Sequence, residues 1–159
     1  MEDRTIVICE ATTADIPVLL ELVHTAFAEY EGRLDPPSGA HKETDASLRQ
    51  ALQTGSVALA FVDGEAAGCV FYSPEEGYLY IGRLSVRPAL RRFGIGTALM
   101  NYAERRAREL GFQRTQIGVR IALVRLHAYY ERLGYRVVRY EAHPGYAAPT
   151  SIVMEKEIS

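Results

Sequence analysis

The amino-acid sequence predicts a single α/β domain over residues 1–159, and three observations support this prediction. Apolar residues alternate in some segments and recur every three to four residues in others, which are the periods of strands and of helices. Asp63-Gly64 joins two strand-like runs and is among the strongest short signals for an antiparallel hairpin. The chain of 159 residues has 48% hydrophobic and 24% charged residues, which is ordinary for one globular domain.

The first half of the chain is predicted to contain strands, two helices and one long loop. Thr13 is a candidate N-cap for the first helix, because a threonine hydroxyl accepts a hydrogen bond from the first helical turn. Two prolines and two glycines between Glu31 and Glu43 favour a loop, and long loops often carry function. The predicted elements are a strand over 5–11, a helix after Thr13 with core positions from Ile16 to Tyr30, a loop over 31–43, a helix between Thr44 or Asp45 and Gly55, and strands over 57–62 and 65–72.

The second half is predicted to continue the alternation of strands and helices. Gly111 and Gly134 each follow a helical pattern, where glycine commonly ends a helix. The predicted elements are a strand over 78–86, a helix with core positions from Ile95 to Leu110, a strand over 115–120, a helix over 123–133, a strand over 135–141, a turn-rich loop over 142–149 and a strand over 151–158.

The charge balance argues against polyanionic partners. The formal net charge is −2 and the isoelectric point is near 6.1, so no bulk attraction draws the protein to nucleic acid or to an anionic membrane surface. The acidic start lacks an apolar segment of signal-peptide length, and no run approaches the length of a membrane span. We therefore expect a cytoplasmic protein.

The two cysteines are predicted to be structural. Cys9 and Cys69 lie in apolar strand-like runs, without a partner at metal-ligand spacing. Both are therefore expected to be small buried hydrophobic side chains, and no metal site is predicted.

The most informative segment is Arg91-Arg92-Phe93-Gly94-Ile95-Gly96-Thr97, at the opening of a predicted helix. Unpaired amides, the helix dipole and glycines together favour phosphate binding there. A dinucleotide-binding fingerprint is excluded because Leu99 occupies the position of its third glycine, and a nucleotide triphosphate loop is excluded because Gly-Lys-Ser/Thr is absent. An ordinary helix start with solvated arginines remains the alternative.

Together with Leu84-Ser-Val86, Pro88 and Leu99, the pattern Arg91-x-x-Gly94-Ile-Gly96 resembles the acetyl-coenzyme A motif of the GNAT superfamily of N-acetyltransferases. The hairpin, the strand before the motif and the segment from Tyr130 to Tyr135 are similar to other landmarks of that family, in the same order. The resemblance implies a mixed, mostly antiparallel central sheet with splayed strands, flanked by helices. It also implies direct transfer of an acetyl group from acetyl-CoA to an amine through a ternary complex.

The resemblance assigns roles to individual residues. The backbone of Leu84, Ser85 and Val86 is expected to pair with the pantetheine arm, and the Val86 amide is a candidate donor to the oxyanion formed during transfer. Tyr130 matches the family's tyrosine that protonates the leaving thiolate. The residues expected to hold the pyrophosphate are Arg91, Arg92, Phe93, Gly94, Ile95, Gly96 and Thr97.

Two departures from the family pattern are visible. Leu123 stands where many relatives have an asparagine that contacts the cofactor arm, so this contact is expected to be absent or supplied elsewhere. The strand before the motif carries Tyr78, Tyr80 and Gly82 instead of a glutamate, so the general base is unidentified. The candidates for the acceptor side, taken from the two turn-rich loops and the end of the first helix, are Tyr30, Arg33, His41, His143 and Tyr146.

We expect the acceptor to be an amine of a small molecule or a peptide. The main alternative is a non-catalytic CoA-binding regulatory or interaction module of the same fold, which the missing base keeps open. Transfer to an alcohol or thiol, or of a longer acyl group, is a third reading. The oligomeric state is open, a homodimer being the commonest soluble assembly.

Overall fold

The structure is a computed structural model, and it describes residues 5–158. Seven strands and four α-helices lie within these residues, and short 3-10 turns connect several of them. The elements are β1 (Ile6–Glu10), α1 (Ile16–Phe27), α2 (Asp45–Thr54), β2 (Ser56–Val62), β3 (Glu65–Glu75), β4 (Tyr78–Val86), α3 (Ile95–Glu109), β5 (Arg114–Arg120), α4 (Val124–Arg132), β6 (Arg136–Glu141) and β7 (Ser151–Glu157).

The strands form one seven-stranded mixed sheet in the order β1-β2-β3-β4-β5-β7-β6. The pairs β1–β2, β2–β3, β5–β7 and β6–β7 are antiparallel. The β4–β5 ladder is parallel, and its register consists of Leu79 with Thr115 and Tyr80 with Gln116. The predicted fold class is therefore confirmed. No helix in the described part of the chain is both long enough and apolar enough to cross a membrane.

Contacts within the chain divide it into two compact units, of which unit 1 comprises Met1–Ser73 and Ile81–Arg106. The apolar face of α1 supplies Ile16, Leu19 and Val23 to its core, each at most 1% exposed. The α1 face packs with Leu48 of α2 and with buried residues of β2 and β3. Burial of these side chains, at roughly 1.5–3 kcal/mol each, drives the folding of this unit.

Unit 2 comprises Pro74–Tyr80 and Ala107–Ser159. Alternate residues of β5, Ile117 and Val119, are buried, and β7 contributes Ile152, Val153 and Met154. Tyr135 is also buried, and its hydroxyl lies 2.8 Å from the Thr115 hydroxyl, so that its polar end is satisfied. The single domain expected from chain length stays a prediction.

The local signals in the sequence determine most element boundaries. Asp63 and Gly64 both have positive φ, at 51° and 81°, as the two central residues of a type I′ hairpin turn require. Thr44 caps α2 by accepting a hydrogen bond from the Ser47 amide at 3.2 Å, and α2 ends at Gly55 as predicted. Gly111 follows α3 with φ of 89°, in the left-handed conformation expected after a helix.

Three local predictions were wrong. The first helix is not capped by Thr13: Thr12 and Asp15 close a short 3-10 turn, in which the Thr12 amide donates to the Asp15 carboxylate at 2.8 Å, and α1 begins at Ile16. Leu110 is 49% exposed because α3 ends at Glu109. Cys9 is exposed on the edge strand β1, whereas Cys69 is buried and its burial raises its pKa to about 12.

Gly68 of β3 is a point of close approach within unit 1. An ideal Cβ on Gly68 would lie 2.6 Å from the Ser85 carbonyl oxygen, 3.3 Å from Leu99 Cδ1 and 3.4 Å from Ile95 Cγ2. The contact with the Ser85 oxygen involves backbone and cannot be relieved by a side-chain rotation. Glycine at this position therefore lets β3 lie close to both β4 and the first turn of α3.

Replacing Gly68 with alanine should lower the free energy of unfolding by about 1–3 kcal/mol, because the added methyl group overpacks this contact. Gly118→Ala in β5 is the matched control, since an ideal Cβ there meets only the Tyr80 hydroxyl, at 3.5 Å. Urea denaturation of both variants measures the difference. Equal free energies of unfolding for the two variants would show that the close backbone contact at Gly68 does not limit the size of this side chain.

Candidate functional site

The last residues of β4 follow an irregular path. Arg83 has φ of 53°, a left-handed conformation that non-glycine residues rarely adopt, and the Ser85 hydroxyl donates to the Arg83 carbonyl at 2.9 Å. Ser85 is fully buried, whereas Leu84 and Val86 are partly exposed. Leu84 and Val86 are therefore the residues that a ligand lying along this strand would meet.

The connection from β4 to α3 exposes a short run of backbone. Arg92 and Gly94 have φ of 76° and 80°, and both are exposed. The Gly94 carbonyl accepts from the Ala98 amide at 3.0 Å, which makes Gly94 the N-cap of α3. The amides of Ile95 and Gly96, in the first turn, precede the first helical donor, the Ala98 amide, and have no partner within the helix. They lie at the positive end of the helix dipole.

Gly94 lies beside open space. Apart from its chain neighbours, no atom of the described residues lies within 4 Å of an ideal Cβ built on Gly94. Immediately after it, Ile95 is 1% exposed and Leu99 is fully buried, so the helix start is held firmly from one side. The exposed Gly94 therefore lies beside open space, immediately before packed residues of α3.

Arg91 is tied to the end of α1. Its guanidinium Nη1 lies 2.7 Å from the Glu29 carboxylate, and its Nη2 donates to the Ala26 carbonyl at 3.0 Å. A cation that binds the last carbonyls of a helix complements the negative end of the helix dipole. The Arg91 side chain therefore braces the loop against α1, while Arg92 extends from the exposed turn; their expected contact with pyrophosphate stays a prediction.

The predicted acceptor residues of unit 1 have different environments. The Tyr30 ring makes an edge contact with Phe27, with ring centroids 5.8 Å apart, and burial raises the pKa of Tyr30, with neighbouring Glu29 raising it further. Arg33 is exposed. His41 lies in the 3-10 turn Gly39–Lys42, and its Nε2 is buried without a hydrogen-bond partner in the described part of the chain.

Sequence reasoning missed Glu43 and Arg83. The Glu43 carboxylate lies 3.4 Å from Arg83 Nε, and the two side chains are 16% and 35% exposed. Forty residues separate them, and the positive φ of Arg83 carries no sequence signature. The only available signal was the place of Glu43 just before the predicted cap Thr44.

The predicted site residues of unit 2 lie on α4 and the loop before β7. Tyr130 is 8% exposed, and its ring makes edge contacts with Tyr129 and Tyr135, at centroid distances of 5.1 and 6.0 Å. His143 Nδ1 contacts the Thr150 hydroxyl, and the His143 ring makes an edge contact with Tyr146 at 6.4 Å. Leu123, at the position expected to be an asparagine, precedes α4 as its N-cap residue.

A tyrosine pair in unit 1 shares one carboxylate. The hydroxyls of Tyr72 and Tyr102 donate to Glu10 at 2.7 and 2.5 Å. Burial and the nearby Glu10 raise the pKa of both phenols, so both remain protonated donors. This cluster joins β1, β3 and α3.

Residues 20–135, more than half of the chain, match the model of the acetyltransferase (GNAT) family. No curated protein sequence gives a significant match.

Solved structures with similar folds cover nearly the whole chain. The PaiA N-acetyltransferase from Thermoplasma acidophilum, in complex with coenzyme A, has a TM-score of 0.80 and 18% identity, covering 96% of this chain and 99% of its own. The ribosomal-protein-S18-alanine N-acetyltransferase from Escherichia coli has a TM-score of 0.77 and 19% identity, covering 98% and 95%. A GNAT family acetyltransferase from Elizabethkingia anophelis with acetyl-CoA bound has a TM-score of 0.70 and 20% identity, covering 96% and 97%.

Substitution of Arg91 by glutamine should destabilise the protein by about 1 kcal/mol, because it removes a partly exposed ion pair and a charged hydrogen bond to the end of α1. Arg92→Gln is the matched control in the same loop, and it should change the free energy of unfolding by less than about 0.5 kcal/mol. Urea denaturation at low ionic strength compares the two. Equal losses would contradict the bracing role of Arg91.

Proposed function

The chain belongs to the GNAT acetyltransferase family, and from this premise we propose that it moves an acetyl group from acetyl-CoA directly to an amine of a small molecule or peptide. Acetyl-CoA, as the cosubstrate, supplies an activated thioester carbonyl. The observation that carries the proposal is the exposed turn from Arg92 to Gly94, which lies beside the open space at Gly94 and immediately before the first turn of α3.

The residues of this loop fit the diphosphate of acetyl-CoA. The first-turn amides of α3 point along the positive end of the helix dipole, and the absence of a Cβ at Gly94 and Gly96 lets phosphate oxygens approach the backbone. Arg92 adds a positive charge from the exposed turn. Phe93 and Thr97 complete the segment that we assign to the pyrophosphate.

The pantetheine arm is assigned to the backbone of Leu84, Ser85 and Val86. This arm carries amide groups, which can pair with strand backbone as another strand would. The Val86 amide is the proposed donor to the carbonyl oxygen of the thioester, where negative charge develops during transfer. Because Ser85 is fully buried, its side chain takes no part in this binding.

We assign Tyr130 as the general acid that protonates the leaving thiolate. This assignment rests on the family spacing from Tyr130 to Gly134 and Tyr135. Tyr129 is the adjacent helical residue, about 100° away around the helix axis, and its ring is in edge contact with that of Tyr130.

The acceptor is proposed to be an amine rather than an alcohol or thiol. Within the family, the E. coli neighbour is named for the alanine of a ribosomal protein, which is a protein acceptor. Tyr30, Arg33, His41, His143 and Tyr146 stay candidates for the acceptor side, and a cytoplasmic location stays a prediction. A CoA-binding module without catalysis would bind acetyl-CoA yet release no free thiol with any amine.

Gly96→Asp tests the cofactor site. We expect its dissociation constant for acetyl-CoA to rise about 10- to 100-fold, because a carboxylate in the first turn repels the diphosphate and fills its space. Aspartate near a helix N-terminus stabilises the helix, so weakened binding would not come from unfolding. Asn101→Asp, an exposed change of the same charge on α3, is the matched control. Calorimetric titration measures the affinity for acetyl-CoA. If the affinity of Gly96→Asp is unchanged, the loop is not the cofactor site.

Tyr130→Phe tests the acid. With an acceptor whose chemical step limits turnover, kcat should fall about 100-fold while acetyl-CoA affinity stays within twofold, since general acid catalysis contributes about 10²–10⁴. Tyr129→Phe should retain the parent kcat. If Tyr130→Phe has the same kcat as the parent enzyme, Tyr130 contributes to packing and is not the general acid.

A further inference from the structure

Arg120, the last residue of β5 in unit 2, carries a buried nitrogen without a partner. Its Nε is buried and has no hydrogen-bond partner among the residues that the structure describes. The residue as a whole is only partly buried, so part of it can be reached from solvent. Most buried polar groups in native proteins are hydrogen-bonded, and an arginine always carries its charge. A buried guanidinium nitrogen that the chain leaves unpaired therefore indicates a partner from outside the chain.

The backbone of Arg120 is fixed in position. Its carbonyl oxygen accepts from the Leu123 amide at 3.0 Å, and His127 Nε2 of α4 lies 3.0 Å from the same oxygen. Across the sheet, Arg120 is in register with Ser151 of β7. A side chain that starts from a fixed backbone has less freedom to lose when it binds a ligand. Arg120 is therefore well placed to hold a ligand at a defined point.

The acid nearest to Arg120 in the sheet register has another partner. Across β5, β7 and β6, the register places Arg120, Ser151 and Glu141 in one row. The Glu141 carboxylate pairs with Arg139 of its own strand, at 3.1 Å. The acid in this row is therefore already engaged by a different arginine.

Gly118, two residues before Arg120, keeps one face of the strand open. Residues two apart on a strand lie on the same side of the sheet, so Gln116, Gly118 and Arg120 share a face, which we call the Gly118 face. Gly118 is exposed, and apart from its chain neighbours only the Tyr80 hydroxyl, among described atoms, lies within 4 Å of an ideal Cβ built on it, at 3.5 Å. The Gln116 amide is engaged, because it donates to Glu155 at 2.7 Å. The Gly118 face thus has room above a glycine, beside a phenol hydroxyl and next to the guanidinium of Arg120.

A carboxylate fits the donors of this face. A guanidinium can present its Nε–H and one Nη–H in parallel, and this fork matches the two oxygens of a carboxylate. The unpaired nitrogen of Arg120 is the Nε that this side-on pairing needs. One arginine balances one negative charge, and the diphosphate of the cofactor is already assigned to the start of α3. The chemistry therefore favours a monoanionic carboxylate over a phosphate.

We propose that the Gly118 face binds the carboxylate of the acceptor through Arg120, so that the acceptor is an amine that also carries a carboxylate, as an amino acid does. The inference rests on the proposed acetyl transfer only in naming this ligand the acceptor. Arg120 binds a group that does not react, so its part is to select the acceptor and to hold it. The residue is thus a determinant of specificity and takes no part in moving protons or the acetyl group.

The kinetic test uses pairs of amines that differ only in this group, namely α- and ω-amino acids and their carboxamides. The quantity compared is the ratio of kcat/KM for the amino acid to kcat/KM for its carboxamide, at saturating acetyl-CoA. Arg120→Gln should lower this ratio about 10- to 100-fold relative to the parent, because it removes the charged partner of the carboxylate. Comparing ratios between enzymes cancels the different basicities of the two amines and any general loss of activity. Arg114→Gln, an exposed arginine of the same strand, is the matched control and should keep the parent ratio.

Binding is also measured without turnover. Two-dimensional proton–nitrogen NMR detects arginine Nε–H groups, and the resonance that is missing from Arg120→Lys belongs to Arg120. In titrations of the parent protein with and without CoA, this resonance should shift with the amino acid probes and not with their carboxamides. Thermal unfolding verifies that each variant is folded, and the titration of the parent decides the question if Arg120→Gln does not fold.

The outcomes separate this inference from the proposed function. An unchanged ratio in a folded Arg120→Gln enzyme, or no shift of the Arg120 resonance with any amino acid, would overturn the carboxylate site and leave the proposed acetyl transfer intact. A parent protein that shows the shift yet acetylates no amine would confirm the carboxylate site, and would overturn both the proposed transfer and the role of this ligand as acceptor.

Discussion

The close approach of backbone at Gly68 is the constraint on which the candidate cofactor site depends. At this point β3 has no side chain, so the Ser85 carbonyl of β4 and the first turn of α3 can both lie against it. The strand assigned to the pantetheine arm and the helix start assigned to the diphosphate are thereby fixed to the same residue. A site whose two parts share one rigid support needs little reorganisation to bind a long ligand.

Buried and exposed groups alternate along the cofactor segment in a way that suits its proposed task. Ser85 and Ile95 are buried and hold the segment in place, whereas Arg92 and Gly94 between them are exposed. Arg91 adds a second support by binding the end of α1 through Glu29 and the Ala26 carbonyl. The exposed turn around Arg92 and Gly94 is therefore held in place while it offers its amides to an anion, because the residues on either side of it are packed.

Backbone strain is concentrated near the same segment. Among described non-glycine residues, Asp63, Arg83 and Arg92 have positive φ, and Asp63 belongs to a hairpin turn that requires it. A residue held in the left-handed region costs about 1–3 kcal/mol and persists where its surroundings determine it. Arg83 has such surroundings in the Gly39 turn and Glu43. The strained conformation of Arg83 thus accompanies an ion pair between β4 and the residue just before α2.

The sequence by itself determined the hairpin at Asp63-Gly64 and most element boundaries, and it predicts an anion-binding loop before α3, because each depends on local backbone chemistry within a few residues. It misplaced Leu110 and Cys9, whose exposure depends on where a helix ends and on which strand lies at the sheet edge. Only the tertiary structure decided that Arg91 braces α1 and that Glu43 meets Arg83 across forty residues of chain. Such contacts depend on the packing of distant elements, and no periodicity or motif in the sequence encodes the distance between two side chains.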